Sequence, residues 1–86
     1  MSLENQLVAQ VSRYIASQIS FAELVAWSAV HEDELVAPGP KSVGGQLASA
    51  ISLAAWELRE GFRPPESVRE LVLEEFAKIV GTPAKL

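Results

Sequence analysis

His31-Glu32-Asp33-Glu34, an imidazole followed by three carboxylates, is the most reactive stretch of this 86-residue chain. His-Glu opens the zincin motif, in which a second histidine four positions on shares the zinc and the glutamate acts as base. Here that position is Leu35, and the chain holds one histidine and no cysteine. Neither a histidine-rich nor a thiolate zinc centre can be assembled. The spacing and turn glycine of a calcium-binding loop are missing as well. Lys41-Ser42 after Gly39 has the ending of a phosphate-binding P-loop, but the required upstream glycine falls at Glu34. Gly44-Gly45 sits where a helix begins, and suits either a bound anion or close approach of another chain segment. Serines are plentiful, yet a lone His31 among carboxylates gives none of them a defined base. The expectation is a protein that is not an enzyme, with no catalytic, cofactor-binding or metal-ligating residue.

Binding is the chemistry that remains. Trp27 and Trp56 each fall at the edge of an apolar helix face. Tryptophan is enriched at interface hot spots, although in small helical domains it more often covers the core. His31, Glu32, Asp33 and Glu34 read either as a solvated acidic turn, the plainer reading, or as a face for a basic partner. These six residues are the candidate partner-binding set. The carboxylates also create a tension, because acidic groups at a helix C-terminus cost roughly 0.3–1 kcal/mol each against the macrodipole. Either a helix stops near Ala29 and a new turn begins at Glu32, or the cluster is kept for another purpose.

The elements that must position these residues are helical. Leu7, Val8, Val11, Tyr14 and Ile15 recur at helical spacing behind Ser2. Ser20 with Glu23 forms a capping box, and Ile19 with Leu24 the matching hydrophobic staple. Phe21, Leu24, Val25 and Ser28 make one face of the helix that follows, and Pro38 ends it by Ala37. After Pro38-Gly39-Pro40, Ser42 caps a third helix with the seam Val43, Leu47, Ile51, Ala54 and Leu58. Leu53 and Trp56 lie outside that seam, and Ala48, Ser49, Ser52 and Ala55 form a small-residue side. Apolar or small nearly all round, this helix should be central. Gly61 closes it, with Phe62 folding back near Trp56 as in a Schellman motif. Pro64-Pro65 opens a fourth helix with Val68, Leu71, Val72, Phe76 and Ile79 on one face, Glu66, Glu70 and Glu74 on another, and Glu74–Lys78 as an ion pair. Gly81 and Pro83 end it. A third and least favoured reading, an enzyme or ligand site in the bundle core, would need polar groups pointing inward, for which Tyr14, Gln46 and Ser28 are the few candidates. The spacing predicts a single all-α domain over residues 1–86, an antiparallel four-helix bundle with helices about 3–17, 20–36, 43–60 and 65–80.

The run Ile19-Ser20-Phe21-x-Glu23-Leu24-x-x-Trp27 resembles short uncharacterised bacterial all-helical proteins, in which a tyrosine-containing helix leads into a Ser-Phe-x-Glu-Leu start, an Ala/Leu-rich helix and a Glu-rich one. Tyr14, Ser20, Leu47 to Leu58 and Glu66 to Glu75 follow that order. The layout is distantly similar to colicin-D-type immunity proteins, acidic helical bundles that occlude a basic nuclease. That resemblance implies a protein partner of basic character and carries over no residue role.

Composition narrows the partner. The net charge is −4, and the seven cationic residues are scattered from Arg13 to Lys85 with no two adjacent. Phosphate neutralisation supplies most of the affinity of nucleic-acid binders, so nucleic acid is not the expected partner. The most apolar run, Val43 to Trp56, is too short to cross a bilayer of about 30 Å, so no membrane span is expected. The first residues lack a secretory pattern, and the absence of cysteine suits a reducing compartment. A cytoplasmic location is the expectation. With 49% hydrophobic residues in so small a domain, more apolar surface is present than one core hides. The expected role is a protein-interaction module, with self-association as a homodimer as the alternative.

Overall fold

Serine hydroxyls open three of the helices. The computed structural model describes residues 2–39 and 41–81. In it Ser2, Ser20 and Ser42 stand in extended backbone, and each hydroxyl accepts a hydrogen bond from the amide three positions on, at Asn5, Glu23 and Gly45. Each satisfies one of the orphan amides of a first turn, an effect of roughly 1 kcal/mol. At Ser20 the box is complete, because its own amide donates to Glu23 Oε1 at 2.8 Å. The described residues are all-α, in the order α1 (Leu3–Ile15), α2 (Phe21–Val30), α3 (Glu32–Val36), α4 (Val43–Arg59) and α5 (Pro65–Val80).

Two helices end in Schellman motifs. At the end of α4 the Phe62 amide donates to Glu57 O and that of Gly61 to Leu58 O, with Gly61 at φ +80°. The same pattern closes α1 without a glycine. There Gln18 donates to Arg13 O and Ser17 to Tyr14 O, and Ser17 takes φ +65°. Gly81 follows α5 with φ +99°, whereas the Pro83 stop and Pro40 of the loop lie outside the described residues.

The helix expected over 20–36 is two helices. α2 ends at Val30, and His31, with φ −107° and ψ 8°, both closes it and opens α3. The physical reason is the charge at Glu32, Asp33 and Glu34. In one continuous helix these carboxylates would face the negative end of the dipole; with the break they occupy the first turn of α3, where the field favours them. The count among the described residues is therefore five helices.

α4 touches each of the other four helices, which makes it the shared wall of the core. Leu47, Ala48, Ile51 and Ala54 are buried along it, against Leu7, Val11 and Tyr14 of α1, Leu24 of α2, Leu35 of α3, and Val68 and Val72 of α5. Each fully buried leucine or valine of this set contributes roughly 1.5–3 kcal/mol. Of the three polar groups that a ligand site in the core would need, Tyr14 and Ser28 are buried. Gln46 is exposed instead, and its side-chain amide donates to Lys41 O at 2.7 Å. The ion pair expected between Glu74 and Lys78 forms with Glu75, at 3.5 Å and one residue closer.

Candidate functional site

Two carboxylate and guanidinium contacts tie α1 into place and bear on what is left free. Glu4 Oε2 accepts from the Gly44 amide at 2.8 Å, in the first turn of α4. The anion that Gly44-Gly45 could hold is thus the chain's own Glu4, while Gly45 is taken by Ser42. Close approach does not require glycine here, since a Cβ at Gly44 would lie 3.4 Å from Leu35 Cδ2 and 3.5 Å from Glu4 Cγ, ordinary van der Waals contact. At the other end of α1, Arg69 of α5 donates to the Tyr14 and Ile15 carbonyl oxygens.

The six expected binding residues fall into two groups. Trp27 of α2 and His31, the residue that closes it one turn on, stack with ring centroids 4.2 Å apart and planes inclined by 32°. His31 Nδ1 lies 2.9 Å from the Trp27 carbonyl oxygen. A carbonyl only accepts, so Nδ1 carries a proton and donates to it. Glu32, Asp33 and Glu34 follow at once, all exposed, and none makes an ion pair among the described residues. No group of three or more histidine, cysteine, aspartate or glutamate side chains among the described residues could hold a metal ion. Glu34 and Glu4 do share a hollow of about 290 Å³. The Glu4 carboxylate there is already bound to Gly44.

Trp56 belongs to the second group, with a partner that the six did not include. Its ring packs against Phe62, centroids 5.3 Å apart, and the two side chains are left 44% and 70% exposed. Leu53, one turn before Trp56, is also half-exposed. Around this apolar patch the charges are paired. Arg63 Nε donates to Glu57 Oε1 at 2.7 Å and Arg63 Nη1 reaches Ser67 Oγ, while Arg59 lies 3.8 Å from Glu60. Beside the patch, a groove of about 410 Å³ runs between α2 and α4, walled by Phe21, Ala22, Val25, Ala26, Ala55 and Leu58 with Arg59 at its edge. A second apolar groove, of about 300 Å³, lies between Ile15 and Ala16 of α1 and Leu73, Phe76 and Ala77 of α5. The small-residue side of α4 is split, with Ala48 buried, Ala55 half-buried, and Ser49 and Ser52 exposed. The signal for the Trp56 patch was in the sequence: Leu53 and Trp56 stand off the buried seam, and Gly61 turns Phe62 back onto them.

No family model, curated protein or solved structure matches the chain. No helix among the described residues is long and apolar enough to cross a membrane.

Proposed function

We propose that this protein acts by binding another protein and not by catalysis, and that Trp56 is the centre of its contact surface. The observation that carries the proposal is the exposed Trp56–Phe62 ring pair beside an apolar groove. Exposed aromatic rings release water when they are covered, and tryptophan is enriched among interface hot spots. The carboxylates on the free sides of α3 and α5 favour a basic partner, drawn in by long-range attraction. That agrees with the resemblance to immunity proteins, in which an acidic helical bundle occludes a basic nuclease. In the same reading α1, α2, α4 and α5 form an antiparallel four-helix bundle, α3 is a short insertion between two of its members, and the protein works in a reducing cytoplasm.

Parallel capture from cells of the source organism tests the proposal, using the full chain and a Trp56→Ala/Phe62→Ala variant as baits. The expected result is a protein retained by the first and lost from the second, and released as ionic strength rises. Equal recovery on both baits overturns the role given to Trp56.

A further inference from the structure

We infer that the groove between α1 and α5 takes a basic amphipathic helix of a protein partner, its apolar side in the groove and its cations along one edge. This builds on the basic partner proposed above and gives it a second contact, on other helices than the Trp56 face. Leu73 and Ala77 of α5 wall the groove opposite Ile15, and Leu73 is half-exposed. Residues three and four apart on a helix are neighbours, so α5 presents parallel ridges. Inside the ridge of Leu73 and Ala77 run Val72 and Phe76, facing the core. Outside it run Glu66, Glu70 and Glu74, about 6 Å apart along the axis. All three carboxylates are exposed, and none makes an ion pair among the described residues. The cations of the same helix are already engaged, Arg69 with the Tyr14 and Ile15 carbonyl oxygens and Lys78 with Glu75.

Charge and backbone chemistry select the occupant. A free acidic ridge beside an apolar one is complementary to a segment that is apolar on one side and cationic next to it. The groove walls belong to helices whose backbone groups are bonded within themselves, so they offer no ladder to an extended strand. A helix brings its own backbone bonds, and lysines or arginines four apart on it repeat at the same 6 Å or so as the glutamates. Across the groove Arg13, exposed beside Ser12, repels a segment that is basic on both edges. The partner's cations therefore belong on the α5 edge. None of the described helices of this chain carries cations three or four residues apart, so a second copy does not supply the segment.

Fluorescence anisotropy of a labelled synthetic helical peptide, titrated with the full chain, tests this. The peptide carries leucines three and four apart and lysines four apart along one edge, and a companion has glutamates for the lysines. The chain should bind the first and not the second, more weakly as salt rises, with amide shifts centred on Ile15, Leu73 and Ala77. Leu73→Ser and Glu66→Gln/Glu70→Gln/Glu74→Gln, each confirmed helical by circular dichroism, should each weaken binding on the order of tenfold. Glu32→Gln/Asp33→Asn/Glu34→Gln makes the same charge change on α3 and should leave binding nearly unchanged. A chain that ignores the lysine peptide overturns the inference, as does binding indifferent to Leu73→Ser or equally sensitive to the α3 change. A doubled mass in sedimentation that Leu73→Ser abolishes gives the groove to a second copy and overturns it too. The wider reading fails separately: peptide binding lost in Trp56→Ala/Phe62→Ala and kept in Leu73→Ser removes this groove and leaves the Trp56 contact intact.

Discussion

Arg69 on α5 holds Tyr14 at the end of α1 by both its backbone and its ring. Its Nη1 donates to the Tyr14 carbonyl oxygen at 3.3 Å, and its guanidinium carbon lies 5.8 Å from the ring centroid. A second donor goes to the Ile15 oxygen, so a fixed cation satisfies carbonyls at the negative end of α1. Arg69→Ala is expected to destabilise the fold by about 1–2 kcal/mol, from two charge-assisted hydrogen bonds at an exposed site and the ring contact. Lysine keeps the charge but not the planar fork, so Arg69→Lys should recover only part of it. Urea unfolding followed by circular dichroism measures both.

Tyr14 makes the stability of the fold sensitive to alkali. Burial raises its pKa above the ordinary 10.0, against the opposing pull of the Arg69 charge. The folded state therefore holds the phenol proton more tightly than the unfolded chain does. The resulting stabilisation is complete below pH 10 and is lost as pH rises through the folded pKa. Thermal unfolding measured at increasing pH should show a falling Tm in that window, and a smaller fall in Tyr14→Phe. The chain has one tyrosine, so ultraviolet titration reports it alone. In Arg69→Ala that titration should move further up.

The two Schellman turns predict opposite responses to glycine chemistry. Ser17 bears a side chain at φ +65°, a region that costs L-residues roughly 1–2 kcal/mol. Ser17→Gly removes that cost and loosens the unfolded chain, for a net gain of about 0.5–1 kcal/mol. Gly61, at φ +80°, has nothing within 4 Å of an added Cβ, so Gly61→Ala should lose about 1 kcal/mol from conformation alone. Differential scanning calorimetry of the two variants should give Tm shifts of opposite sign.

Glu4 caps α4 from a distance, and its removal should be felt there. Glu4→Ala leaves the Gly44 amide without its carboxylate, a loss of about 1–2 kcal/mol. Glu4→Gln keeps an acceptor without the charge and should fall between that variant and the wild type. Amide hydrogen exchange at Gly44 provides the local readout: faster exchange in Glu4→Ala, with Gly45 still held by Ser42.

What the sequence made legible was local. The Ser20–Glu23 box and the Gly61 turn with Phe62 are written within a few residues, and the structure contains both. The break at His31 was not resolved by periodicity, because Ser28 and Leu35 are seven apart and fit one uninterrupted helix equally well. Only the charge of Glu32 to Glu34 argued for a new start. The ties at Glu4 and Arg69 span 40 and 55 residues and obey no local pattern. For the same reason the candidate surface was half visible. Trp56 stood out by its offset from the buried seam, whereas the groove beside it exists only once α2 is laid against α4.

The position of α4 has a consequence for how the chain comes to be folded. It follows α1 to α3 along the chain and so leaves a ribosome after them, yet every other described helix rests on it. Until Arg59 has emerged, Leu7, Val11, Leu24 and Leu35 have no complete surface to bury against, and α1 to α3 can gather only loosely. Neither a fragment ending before Val43 nor one beginning there should hold native packing. Mixing the two should restore what each lacks, because the core is the seam between them.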